Sequence, residues 1–276
     1  MANERERARK ALRELSKTLK SLPGDLSVRR VHKLRTATRR VEAIATALEA
    51  TDSKGSRRLL KALEPVRKAA GGVRDMDVLA ANVRKLGRPA TGAPLARLLT
   101  HLEYARQQNA DELRRVLSRR GDAARENLKK YGRIVRSALS RPKNAEDRQG
   151  LHGATQESIH TAAMNAVREL GEWPPLNAEN IHEFRLKVKL LRYLLQISAD
   201  ADPKLMTALA DVQRRVGDWH DWQQLEEIAR EVLISEQDSE LLERIGNLTG
   251  RRYEKALGAA NSLRACYLHM PAPTGI

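Results

Sequence analysis

The sequence predicts an all-α fold made of two helical bundles related by an internal duplication. Three observations predict it. Ala, Leu, Arg, Glu and Lys dominate, and all are strong helix formers. Apolar residues recur at three- and four-residue spacing, while the β-branched alternation of strands is absent. A block that begins at Leu26 returns 150 residues later, and a second matching block follows each copy.

Taken in order, the chain opens with Met1-Ala-Asn-Glu-Arg-Glu-Arg, which leads into an amphipathic charged helix with no apolar signal region. Breaks are expected at Pro23-Gly24, around Asp52 to Gly55, at Gly71-Gly72, at Gly87 to Pro94 and near Gly121. Further breaks are expected at Arg141-Pro142, at Gly171 to Pro175 and at Asp202-Pro203. Pro65 either kinks a helix or opens a new one. The polar stretch from Arg141 to Gly150 is the best boundary between halves. The chain is therefore divided into repeats 1–145 and 150–276 of one domain, 1–276.

The repeat is specific in its residues. Leu26 to Arg35 lies over Leu176 to Arg185, with Val31 on Ile181, His32 on His182 and Leu34 on Phe184. Arg39 then meets Lys189, Val41 meets Leu191 and Ile44 meets Leu194. At an offset of 146, Leu63, Val66, Gly71, Arg74-Asp75 and Leu79 align with Leu209, Val212, Gly217, His220-Asp221 and Leu225. Ser27 and Asn177, each five residues before a histidine, are suited to N-cap positions. Two blocks matching in the same order point to a duplication, and hence to a pseudo-two-fold relation.

Composition bounds the partner. Lys and Arg number 51 against 35 Asp and Glu, a net charge of +16. Such an excess points to a polyanion: nucleic acid, an anionic membrane surface, or polyphosphate. Aromatics are only 3%, with one Phe, so the stacking platforms of single-strand binders are scarce. A partner recognised by charge fits better than one read by its bases. The lone Cys266 excludes an internal disulfide and any cysteine-based metal site. No stretch approaches the ~18 consecutive apolar residues of a membrane span, so a cytoplasmic protein is expected.

The duplicated helices carry two stripes each. Val31, Leu34, Thr38, Val41 and Ala45 form a buried stripe, repeated by Ile181, Phe184, Val188, Leu191 and Leu195. One residue on, about 100° around the helix, runs a basic stripe. It holds His32, Arg35 and Arg39 in the first copy, and His182, Arg185, Lys189 and Arg192 in the second. Ten residues of helix spread these cations over ~15 Å, the length scale of several linked phosphates. Solvated faces usually mix signs to gain i, i+4 pairs, whereas a stripe of one sign repels itself and calls for a counter-anion. Arginine suits the task because its planar fork donates two hydrogen bonds to one phosphate. The histidines fall in the first helical turn, where the dipole favours anions, and a bound phosphate favours imidazolium.

These residues resemble the CHAD family, named for conserved histidines in an α-helical domain. The pattern of His, Arg three on, and Arg or Lys seven on is met by His32, Arg35, Arg39 and Arg40, and again by His182, Arg185 and Lys189 with Arg192. The later Gly-x-x-Arg-Asp or Gly-x-x-His-Asp element is similar to Gly71 through Asp77 and Gly217 through Asp221. The resemblance spans essentially the whole chain. It implies two four-helix bundles facing across a basic cavity that binds inorganic polyphosphate, with association to polyphosphate granules. It implies His32, Arg35, Arg39, Arg40, His182, Arg185, Lys189 and Arg192 as ligands, with Arg74 and His220 added. Glu42 departs from the pattern, standing where Arg192 stands in the second copy, and Leu190 replaces the neighbour seen as Arg40. Unequal halves are expected, with the second binding more strongly. Nothing in the chain is similar to a triphosphate-hydrolysing or nucleotidyl-cyclase domain, so the unit is expected to stand alone.

Catalysis is not expected. Phosphoryl transfer generally needs Mg²⁺ held by carboxylates and an activated nucleophile. The candidates Asp75, Asp77, Asp218 and Asp221 read better as caps or as supports for the arginines. His220-Asp221 has no second histidine at ligand spacing, and Trp219 and Trp222 read as packing residues. Gly71-Gly72 lacks the Lys-Ser/Thr of a phosphate-cradling loop. Neither metal nor cofactor is expected. The rival readings are a basic nucleic-acid-binding protein, and a polyphosphate-metabolism accessory or weak phosphohydrolase.

Overall fold

The computed structural model describes residues 2–21, 25–47, 53–86, 92–138, 151–197 and 201–268. Among them it contains eight α-helices and no strand. These are α1 (Ala2–Ser21), α2 (Val28–Ala47), α3 (Ser53–Leu86) and α4 (Gly92–Ala138), then α5 (Leu151–Gly171), α6 (Ile181–Ile197), α7 (Pro203–Val232) and α8 (Ser239–Leu263). A 3₁₀ turn at Glu236–Asp238 precedes α8, and a π-helical turn at Arg264–Leu268 follows it. Among the described residues no helix is long and apolar enough to cross a membrane.

Helix starts follow local chemistry. The carbonyl of Ser27 accepts from the amides of Arg30 and Val31, while Asp25 accepts from the Ser27 amide at 2.8 Å. At the matching place Asn177 Oδ1 accepts from the amides of Glu179 and Asn180, and its carbonyl accepts from Ile181. Asp202 caps α7 through the Lys204 amide at 2.9 Å, with Pro203 at the first helical position, where no amide is needed.

Two expected breaks do not occur. α3 runs uninterrupted through Pro65 and Gly71-Gly72, and α4 through Gly121. The reason at Gly72 is close approach: a Cβ there would lie 2.7 Å from Asn109 Oδ1 of α4. An interior glycine costs a helix about 0.5–1 kcal/mol, which burial of neighbouring apolar residues outweighs. Pro23-Gly24 and the Arg141–Gly150 boundary lie outside the described residues.

The chain forms two compact units, interleaved along the sequence. The first comprises residues 1–74, 106–163 and 193–200; the second comprises 75–105, 164–192 and 201–276. Each therefore draws on both sides of the 145–150 junction. In the first unit Leu15 and Leu19 of α1, Val31, Leu34 and Val41 of α2, and Leu59, Leu63 and Val66 of α3 are buried. The second unit buries one apolar cluster in which Trp222 and Leu225 of α7 meet Leu241 and Ile245 of α8, with Leu79, Val83, Leu98 and Leu102. Asp238, only 1% exposed, ties this core to Arg97 by an ion pair and accepts from the Ser235 amide.

The stripe expected in α2 is buried throughout, Thr38 included, whose hydroxyl donates to the Leu34 carbonyl at 2.9 Å. In α6 the stripe drifts: Ile181, Phe184, Val188 and Leu191 are buried, but Leu194 takes the last inward position and Leu195 is half-buried.

Candidate functional site

Fixing the apolar stripe of α2 inward fixes where its neighbours point. His32 remains exposed at the start of the second turn, and Arg35 and Arg39 follow half-buried along the same side. Arg74, about six turns into α3, belongs with them: after burial, the largest cause, its charge and that of Arg35 lower the His32 pKa. Although His32 is exposed by area, the surrounding protein strips enough water to disfavour imidazolium. Burial likewise pushes the Arg39 guanidinium down, Glu42 pushes it back up, and Arg67 and Arg35 lower it again. These cations crowd one another.

Glu42 faces this group. It accepts from Arg67 Nε at 2.8 Å and lies 3.8 Å from Arg39 Nη1. Arg39 Nε is buried and has no hydrogen-bond acceptor among the described residues. Arg40 does not join the group, because it turns to α1 and pairs with Glu14 at 3.3 Å.

The second unit builds a related cluster on α6 and α7. His182, in the first turn of α6, stacks obliquely on His220 with ring centroids 4.5 Å apart. Its pKa is lowered by burial first, then by His220, Arg185 and Lys189, with Glu183 opposing. Its Nδ1 is buried without a hydrogen-bond partner among the described residues. Arg185 lies across the backbone of α7, donating from Nε to the Gln213 carbonyl at 3.2 Å. That approach requires Gly217: a Cβ there would stand 2.7 Å from an Arg185 terminal nitrogen. Arg192 donates to Gln213 Oε1 at 2.8 Å, while its own Nε is buried and lacks an acceptor among the described residues.

The two clusters correspond position by position. Arg74 acts on His32 as His220 acts on His182, and these partners are aligned in the repeat. Glu42 aligns with Arg192, and Arg67 with Gln213. The structure joins both pairs by a hydrogen bond, with donor and acceptor exchanged. Arg67 and Gln213 were not among the residues expected from the sequence. The signal was there: at the 146-residue offset they occupy the same place, one residue after Val66 and Val212.

The acidic candidates sit apart from any metal-binding arrangement. Asp77 is buried, and Asp75 and Asp221 are half-buried. Asp218 pairs with Arg252 at 3.0 Å, and the Arg252 guanidinium lies 4.1 Å from the Trp222 ring centroid. Trp219 and Trp222 are buried packing residues. Among the described residues no group of three or more His, Cys, Asp and Glu side chains is arranged to hold a metal ion.

With this geometry goes a family match. The CHAD domain model matches residues 5–230, and the chain belongs to that family. The match contains every residue of both clusters but is shorter than the whole-chain extent expected: α8 lies beyond it, although Leu241 and Ile245 complete the core of the second unit. No curated protein matches the chain.

Proposed function

We propose that this protein binds inorganic polyphosphate without catalysis, using the α2–α3 cluster of one unit and the α6–α7 cluster of the other. The observation that carries the reading is a pair of buried donors, one in each cluster: Arg39 Nε and Arg192 Nε, each without an acceptor among the described residues. A buried donor left unsatisfied costs about 1–3 kcal/mol, more for a charged group, and a phosphate oxygen removes that cost. The pKa values of His32 and His182 are lowered first by burial and then by neighbouring positive or titratable groups, so a bound anion would favour imidazolium at both. The correspondence of the clusters supports an origin by duplication, with two bundles in a pseudo-two-fold relation.

A linear polyanion fits better than nucleic acid. Arginine forks grip phosphates of either, but nucleic acid adds bases, and the tryptophans at 219 and 222 are buried rather than offered for stacking. The acidic residues support cluster geometry and folding rather than Mg²⁺-dependent chemistry. A cytoplasmic setting, with association to polyphosphate granules, follows from this reading.

Competition at fixed salt between long-chain polyphosphate and duplex DNA, matched in phosphate concentration, tests it. Polyphosphate is expected to displace DNA; displacement of polyphosphate by DNA would defeat the proposal. Steady release of orthophosphate with Mg²⁺, lost in Asp75→Asn or Asp221→Asn, would replace binding alone with hydrolysis.

A further inference from the structure

We propose that Glu42 is a resident counter-ion of the first cluster, holding Arg67 and Arg39 in the free protein and yielding Arg67 to a phosphate when polyphosphate binds. The inference rests on the polyphosphate reading above. It makes Arg67 a ligand and Glu42 the residue that sets the affinity of this half.

The geometry is that of an occupied anion site. One carboxylate oxygen accepts from Arg67 Nε at 2.8 Å, and the other lies 3.8 Å from Arg39 Nη1. The Glu42 side chain is 15% exposed and that of Arg67 24%, so the pair is only partly screened by water. A carboxylate and a phosphate both present two oxygens to a guanidinium fork. An arriving phosphate therefore competes with Glu42 for the same donors, and its negative charge is repelled by the carboxylate until the two separate.

The second cluster shows the same contact without the charge. Gln213 Oε1, neutral, accepts from Arg192 at 2.8 Å, so nothing anionic need be displaced there. The molecule thus contains its own precedent for an arginine–amide pair at these aligned positions, and Glu42→Gln should keep the Arg67 hydrogen bond. A different role for Glu42 is also physically coherent. As a fixed bridge it would only hold Arg39 and Arg67 against mutual repulsion, and removing its charge would then weaken the site. The two roles differ in the sign of one substitution.

The test is calorimetric titration of the full chain with long-chain polyphosphate, at low and at moderate salt. Glu42→Gln is expected to tighten binding roughly three- to tenfold at low salt, the gain shrinking as salt rises. Arg67→Ala is expected to weaken it. The reciprocal variant Gln213→Glu places a carboxylate against Arg192 and is expected to weaken binding several-fold, which keeps the test decisive if Glu42→Gln folds poorly. Unchanged or weaker binding by folded Glu42→Gln, or unchanged binding by Gln213→Glu, overturns the counter-ion role. If wild type still binds polyphosphate and loses it in Arg35→Ala/Arg185→Ala, the broader reading survives that failure. Wild type failing to bind polyphosphate at all would sink both.

Discussion

The α2–α3 cluster and the α6–α7 cluster hold matched positions with different chemistry. The first is built from four arginines, Arg35, Arg39, Arg67 and Arg74, opposed by Glu42 and joined by a single histidine. The second has Arg185, Lys189 and Arg192, a neutral Gln213, and two histidines in ring contact. Arg35 aligns with Arg185 and Arg39 with Lys189, whereas Glu42 aligns with Arg192, Arg67 with Gln213 and Arg74 with His220. The difference teaches that two copies of one cluster can exchange charge between neighbouring positions and keep the same hydrogen bond. The expectation that the second half binds more strongly rested on Glu42 in the first copy, and Glu42 does pair there with Arg67.

The comparison is broken most directly by removing one arginine from each cluster in turn. A charge-assisted hydrogen bond is worth about 1.5–3 kcal/mol, so Arg35→Ala or Arg185→Ala should each weaken polyphosphate binding by about one to two orders of magnitude. At pH 8, Arg35→Ala should do the greater harm, since Arg35 acts on both His32 and Arg39 at the centre of the four-arginine cluster. Titrations of the two variants at that pH decide the order, and equal losses would mean the clusters are interchangeable.

Glycine substitutions sharpen the contrast at lower cost. Gly217→Ala drives a Cβ against the flexible end of Arg185 and should cost roughly tenfold in affinity with little change in melting temperature. Gly71→Ala, at the aligned position, meets nothing within 4 Å and should leave affinity unchanged while slightly stabilising α3. If both variants bind as wild type, Arg185 is not positioned by the glycine.

The smallest expected effects come with pH. Polyphosphate should raise the depressed histidine pKa values, so affinity should increase as pH falls through and below about 6.5. Calorimetry in buffers of differing ionisation enthalpy should detect the proton uptake. Its greater part should vanish in His182→Gln/His220→Gln and its lesser part in His32→Gln. For the free protein the sign is opposite. With folded-state pKa values of His32 and His182 below the unfolded value, the unfolded chain binds more protons in that window. Stability from these groups is full above pH ~6.5 and lost as pH falls below it. A melting temperature that rises on acidification would contradict the burial of His182.

Much of this was legible in the sequence, and the rest was not for identifiable reasons. The 3.6-residue periodicity declares the buried face of α2, and the caps at Asn177 and Asp202 are set by chemistry within a few residues. The break assigned to Gly71-Gly72 failed because a glycine required by a close approach reads the same as one required by a turn. The contact that decides Gly72 is with Asn109, on another helix. Arg40 resembles its neighbours in the stripe, yet Glu14 on α1 draws it away. Arg67 and Gln213 complete the clusters from helices 25 and 21 residues distant, beyond the reach of a motif read along one helix.

The central claim is that polyphosphate is held by these named cations and not by the net charge of the chain. Calorimetry with long-chain polyphosphate tests it most directly, comparing wild type with Arg35→Ala/Arg185→Ala and with Arg119→Ala/Arg120→Ala, which removes the same charge from exposed positions on α4. The site predicts a loss of at least about a hundredfold in the first variant and less than about threefold in the second. Equal losses in the two would show that bulk charge alone accounts for the binding.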